Sequence, residues 1–356
     1  MSEDCFDLTI VGGGIVGAML AWRACRRHPE WRILWFDRSL FGGGASAYSG
    51  GLITPYGRTP VHRTLASLSA RLLDELMADI GALPIRELLG WYITATKNQD
   101  ERLDWFVSGR PSATSPSEVN PLRSLMPALQ FSDGETILGP FPVRQGWPVA
   151  IVTRVRDLCR RNRQFVIWEG VELSKWTKAR DSINLSISAG DPVETRRLAL
   201  ALGPWLNNRN GPVVPHGIRI KKVSACHLEI APAGSAPVIL FGDHDAFLLP
   251  LPEERRWLFS FPSPIWDVDP LSSKLTIDSE ENKTAASILN RYVPGLAAYK
   301  RGGRVFCDSY TENRVPLVCC VGGNPDVVFV GGCSGSGFRL APGMAEQAMD
   351  LLEHTN

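Results

Sequence analysis

The chain has 356 residues, of which 44% are apolar and 21% charged. That is more than one core usually serves, and the balance excludes extended disorder. Lys and Arg (38) nearly cancel Asp and Glu (37) for a net charge of +1, so no electrostatic case exists for a nucleic-acid or anionic-membrane protein.

Phe6–Val11 alternates and then turns fully apolar, the pattern of a strand entering a buried parallel sheet. Gly12-Gly13-Gly14-Ile15-Val16-Gly17 follows as G-x-G-x-x-G. Ile15, Ala18, Met19, Trp22 and Cys25 then recur at helical spacing until His28-Pro29 stops the helix. Residues 32–36 read as a second strand closing on Asp37, twenty residues after Gly17. Gly12 permits the tight turn, Gly14 lets a pyrophosphate reach the backbone, and Gly17 lets the helix pack on the sheet. The helix N-terminus offers N–H groups and partial positive charge to phosphates. Asp37 is placed to accept ribose hydroxyls and to repel a 2′-phosphate. A Rossmann-type dinucleotide site opens the chain.

The run Phe41-Gly42-Gly43-Gly44-Ala45-Ser46-Ala47-Tyr48-Ser49-Gly50-Gly51-Leu52-Ile53 suits a backbone lying flat against a ligand. Residues 110–127, with four prolines and four serines, read as an exposed loop. Further buried strands fall at 164–169 and 198–203, and short alternating runs at 247–250 and 257–261 read as antiparallel strands. Residues 325–330 form a last buried strand ending in Gly331-Gly332. A turn follows through Cys333-Ser334-Gly335-Ser336-Gly337-Phe338, and then a helix over about 343–354 with Pro342 in its first turn.

Other chemistries find little support. Eight cysteines form no C-x-x-C pair and six histidines are scattered, so neither a disulfide framework nor a metal site is expected. The longest apolar stretch, 10–22, is interrupted by four glycines and falls short of the roughly 20 residues a bilayer requires. The acidic N-terminus does not resemble a secretory signal, and a cytoplasmic protein is the expectation.

The motifs in this order resemble the FAD-dependent D-amino-acid oxidase, glycine oxidase and sarcosine oxidase superfamily. The resemblance rests on the N-terminal fingerprint, residues 44–51, Leu198-Ala199-Leu200-Ala201-Leu202-Gly203-Pro204-Trp205, and residues 331–338. It implies an α/β fold in which a Rossmann-type FAD-binding domain (1–85, 146–215 and 301–356) is interleaved with a substrate domain (86–145 and 216–300). The latter is α+β and built on an antiparallel sheet. It implies FAD contacts from Gly12, Gly14, Ile15, Val16, Gly17, Asp37, Arg38, Gly44, Ala45, Ser46, Gly51, Leu52, Val171, Gly203, Trp205, Gly335, Gly337, Phe338, Arg339 and Leu340.

The implied chemistry is oxidation of an amino acid or secondary amine. A hydride leaves the carbon beside the amine nitrogen for flavin N5, the imine hydrolyses, and molecular oxygen reoxidises the flavin to give hydrogen peroxide. Arg339 stands where sarcosine-oxidase-like members carry a carboxylate-binding cation; its other reading is a surface arginine. Thr311-Glu312-Asn313-Arg314 is similar to the T-x-N-R of fructosyl-amine oxidases. Aligned on Thr311, the carboxylate-binding arginine of glycine-oxidase-like enzymes is replaced by Asp308, which either binds an ammonium or guanidinium or caps a turn. The flavin-tethering cysteine of sarcosine oxidases falls at Phe306, one residue from Cys307, so non-covalent FAD is expected. Tyr310, Tyr56 and Tyr92 are pocket candidates or packing. His216, Lys221, Lys222 and His227 include a cation that either assists oxygen or is structural. Competing functions are a dehydrogenase using a quinone or carrier, a non-catalytic flavin-binding protein and an NAD-dependent dehydrogenase.

Overall fold

The computed structural model describes residues 5–206, 214–272 and 275–353. Two sheets organise them. The first has eight strands, with Phe6–Val11 at its centre between Val193–Leu200 and Ile33–Asp37, and Phe165–Glu169 beyond the latter, all parallel. Asn324–Gly331 joins Val193–Leu200 in parallel on the other side. Apolar residues at consecutive positions explain the burial of both faces. Ile33 and Trp35 pack with the helices, while Leu34 and Phe36 pack into a second cluster on the opposite face.

Helices Ile15–Arg27, Pro148–Cys159 and Gly337–Glu353 contribute to the helical face. The first packs very close to the sheet: a Cβ at Gly17 would stand 1.8 Å from the Gly12 carbonyl oxygen. That oxygen accepts the Trp35 indole N–H at 2.9 Å. Helix Pro60–Ile80 crosses the last helix at Gly343, whose N–H donates to Ser69 Oγ at 2.9 Å.

The second sheet has nine strands. Lys300–Thr311 lies at one end, followed by Ile218–Leu228, Arg256–Phe261, Ala246–Leu251 and Val238–Phe241. Ile85–Ala95, Glu135–Gly146 and Leu52–Ile53 complete the path, with Ala113–Thr114 beside Glu135–Gly146. Every pairing is antiparallel except Val238–Phe241 with Ile85–Ala95. Strand Lys300–Thr311, grouped with the cofactor segments in the sequence, is therefore a member of this sheet along almost its whole length.

Two expectations are corrected. The last helix starts at Gly337, so Pro342 lies inside it. The fixed φ of proline, about −65°, is itself helical, and in the second turn its missing N–H forfeits one ladder hydrogen bond. The expected end of that helix at His354 lies outside the described residues. Residues 110–127 are not simply an exposed loop. They contain strand Ala113–Thr114 and helix Asn120–Leu125, and Val119, Leu122 and Met126 are buried against the second sheet. Their i, i+3, i+7 spacing fits one helical face, and the prolines flank it or occupy its first turn.

Candidate active site

Parallel strands ending in glycine turns place their C-terminal ends around one cleft, the usual ligand position of such sheets. It encloses about 1300 Å³. Gly12, at φ +115°, carries the chain from strand to helix where a Cβ would lie 2.2 Å from the Ala201 carbonyl oxygen. Gly14, Ile15, Val16, Asp37, Arg38, Gly44, Ala45, Ser46, Val171, Gly203, Trp205, Gly335, Gly337 and Phe338 all line this cleft. The Asp37 carboxylate accepts the Gly13 N–H at 2.6 Å and the Ser39 N–H at 2.7 Å. It thereby holds the phosphate turn as well as facing the ligand space. Ser46 Oγ accepts the Ile15 N–H at 3.0 Å, tying the second glycine segment to the first helix. The Arg38 guanidinium lies over the Trp205 ring at 5.6 Å.

The backbone cradle, the helix N-terminus and the carboxylate at the second strand fit the phosphates and ribose of a dinucleotide. Five residues of the expected contact set do not line this first cleft. Gly51, Leu52 and Arg339 line an adjoining cleft. Leu340 is fully buried among the helices, and Gly17 serves the helix–sheet approach instead of the ligand surface. Ser49, Pro148, Phe306 and Cys333 also line the first cleft. Ser49 and Cys333 sit inside the glycine motifs, whereas Pro148 and Phe306 belong to none and only folding brings them there.

The adjoining cleft encloses about 1530 Å³ and shares Ser49, Phe306, Asp308, Gly335 and Phe338 with the first. Asp308 therefore stands at the junction. Its oxygens accept the Ser309 and Gly335 N–H groups, each at 2.9 Å. Burial pushes its pKa up to about 6, and those two N–H groups oppose the rise. It caps the turn and also faces both spaces. Tyr310 lines the second cleft, with its ring edge-on to Trp266 at 5.4 Å. Burial and then Asp308 push its phenol well above the ordinary range, so it stays neutral.

Arg339 is a cleft residue and not a surface arginine. Its Nη1 donates to Thr54 Oγ1 and the Tyr56 carbonyl, both at 2.7 Å, and its Nη2 to Ser336 Oγ at 3.3 Å. Three of five guanidinium donors are thus occupied and two remain. Arg58, His62, Asp245 and Arg314 also line this cleft. Arg314 closes the T-x-N-R stretch, whereas Arg58, His62 and Asp245 belong to no motif and are brought here by folding. Cys307 lines neither cleft and is packed in the apolar cluster between the sheets. Burial raises its thiol pKa. Among the described residues no cluster suits a metal ion, and no helix is long and apolar enough to cross a membrane.

This architecture is that of a flavin enzyme, and the family model described as FAD dependent oxidoreductase matches residues 7–351. The chain belongs to that family, and FAD is its cofactor. Similar solved structures include glycine oxidase from Geobacillus kaustophilus, with 15% identity, 99% and 96% of the two chains covered, and a TM-score of 0.76. L-proline dehydrogenase from P. horikoshii gives 15%, 99% and 94%, and 0.79. L-alpha-glycerophosphate oxidase from Mycoplasma pneumoniae, solved with FAD bound, gives 15%, 98% and 95%, and 0.79. No curated protein sequence matches significantly. The named substrates of these structures differ, so the shared fold leaves the substrate to be argued from the site.

Replacing Asp37 with Ala removes an ionic acceptor from two backbone N–H groups at the cofactor turn. Hydrogen bonds to charged groups contribute about 1.5–3 kcal/mol. The Kd for FAD, read by flavin fluorescence during dilution, is expected to rise roughly 10- to 100-fold.

Proposed function

We propose that this enzyme oxidises the C–N bond of a carboxylate-bearing amino acid or secondary amine to the imine, with molecular oxygen as electron acceptor. The observation that carries this reading is the pairing of Arg339 with Asp308 around one cleft that opens into the FAD cleft. A guanidinium suits the carboxylate end of such a substrate, and a carboxylate suits its amine end.

Bound FAD supplies the two-electron acceptor. The protein residues do the positioning. Thr54, Tyr56 and Ser336 fix the Arg339 plane, leaving two donors for the substrate carboxylate. Each Asp308 oxygen makes one backbone hydrogen bond and retains a lone pair for a substrate N–H. Aromatic walls from Tyr56, Tyr92, Phe306 and Phe338 exclude water from the space between them. No nucleophile is required. Proton loss from the substrate amine precedes reaction, because a protonated nitrogen has no lone pair to assist hydride departure. The packing of Cys307 supports a non-covalently held flavin.

Anaerobic addition of L-, D- and N-methyl amino acids and cyclic imino acids tests the reading. At least one is expected to bleach the flavin absorbance, followed by recovery on admitting air. No bleaching by any of them overturns it. Arg339→Met should raise KM for the active substrate at least 10-fold while changing kcat far less; an unchanged KM removes Arg339 from carboxylate binding.

The charge on Asp308 has two effects on the pH profile. Below about pH 6 it is neutral, so kcat/KM falls as the amine loses its ionic partner. Above that pH its charge favours the ammonium form of the bound substrate, so kcat rises with pH until the bound amine deprotonates. Asp308→Asn is expected to abolish the acid limb and move the alkaline limb to lower pH. A profile identical to that of the parent enzyme separates Asp308 from the amine.

A further inference from the structure

Five cations and two carboxylates line the second cleft: Arg58, Lys221, Lys222, Arg314 and Arg339 against Asp245 and Asp308; Lys222 is neutralised by Glu281 and drops out of the balance. Asp245 is already shared. It accepts from Arg58 Nη2 at 2.5 Å and pairs with Arg314 Nη1 at 3.2 Å. Asp308 holds backbone N–H groups, and Arg339 is held by neutral oxygens. Burial and then Arg339 lower the pKa of His62, which leaves it uncharged near neutrality. The cleft thus carries an excess of two positive charges.

Among the described residues Lys221 and Arg339 are the cleft cations without an ion-pair partner, and Lys221 also lacks the hydrogen bonds that hold Arg339. The neighbour of Lys221, Lys222, points to the other face of the strand and donates to Glu281 Oε2 at 2.6 Å. Strand alternation turns Lys221 toward the cleft. Only 7% of it is exposed, and it makes no ion pair or hydrogen bond among the described residues. Its ammonium lies 5.0 Å from the Trp266 ring centre and 5.2 Å from that of Tyr310. Cation–π contacts of about 0.5–2 kcal/mol do not offset a desolvation penalty of several kcal/mol. Burial, followed by Arg314, lowers its pKa, with Asp245 acting the other way. A second unpaired donor lines the same cleft: the buried Tyr92 hydroxyl has no partner among the described residues. An anion entering here would pair groups that the protein leaves unpaired.

We propose that Lys221 receives a second carboxylate of the substrate, so that the cleft selects an amino dicarboxylate over an amino monocarboxylate. This rests on the preceding reading, in which Arg339 takes the first carboxylate. Calorimetric titration of the FAD-loaded enzyme with unreactive acids separates the two. Succinate and glutarate are compared with the monoacids of equal length, butyrate and pentanoate, at low ionic strength. The better diacid is expected to bind at least 10-fold tighter than its monoacid. Lys221→Met should reduce that ratio to within 2-fold, and Lys221→Arg, which keeps the charge, should retain at least half of the logarithmic preference. Equal affinities in the parent enzyme, or a ratio untouched by Lys221→Met, overturn the proposal. So does slower reoxidation by oxygen in Lys221→Met with the diacid preference intact, which assigns the ammonium to the acceptor. Bleaching by monocarboxylate amines without any diacid preference sinks this proposal alone, whereas failure of every amine to bleach the flavin sinks the reading beneath it.

Discussion

The seam between the end of strand Lys300–Thr311 and the turn after strand Asn324–Gly331 fastens the antiparallel sheet to the parallel one. Asp308 accepts the Gly335 N–H, Ser309 Oγ accepts the Gly332 N–H at 3.2 Å, and the Ser309 carbonyl accepts the Ser334 N–H at 3.0 Å. Thr311 N–H donates to Ser334 Oγ at 3.3 Å. Successive residues of one sheet thereby hold successive residues of the other. Rigid attachment matters because a reaction at bound FAD requires the reacting groups to be held in a close and fixed geometry. If the substrate surface and the cofactor turn could slide past each other, neither cleft alone would define a reacting geometry.

The same seam explains why Asp308 has an unusual environment. A carboxylate that anchors a glycine turn must approach the backbone, and here that approach places it between two clefts. Burial raises its pKa, while the N–H groups that it accepts limit the rise. One side chain thus joins a structural duty to a position lining both clefts. Arg339 faces the same problem from the opposite sign. Neutral oxygens orient it without cancelling its charge, which leaves that charge available to a ligand.

Much of the cofactor site was legible in the sequence because its determinants are local. A strand, a glycine turn and a helix within about 30 residues define a dinucleotide cradle by chain geometry, and Gly12, Gly14 and Asp37 lie where that geometry puts them. The Leu340 side chain packs among the helices, because proximity to the C-terminal motif does not decide which way a helical residue points. Gly51 and Leu52 line the second cleft while Gly44, Ala45 and Ser46 line the first, since the chain passes from one space to the other within the same segment. The proline-rich stretch at 110–127 read as loop because composition outweighed the buried spacing of Val119, Leu122 and Met126.

The amino-acid sequence by itself determined the class of fold, the cofactor cradle and the identity of Asp308, Tyr310 and Arg339 as site candidates, through short-range motifs whose physics acts within one turn of chain. Only the tertiary structure decided which charges share the second cleft. Arg58, Lys221, Asp245 and Arg314 are separated by up to 256 residues in the chain, and they meet because the long strands of the antiparallel sheet and their connecting loops converge over one cleft. Whether a lysine on a strand is neutralised or left facing a ligand depends on which face it occupies and what packs there. Lys222 meets Glu281 and Lys221 meets two aromatic rings, a difference that two adjacent identical letters cannot express.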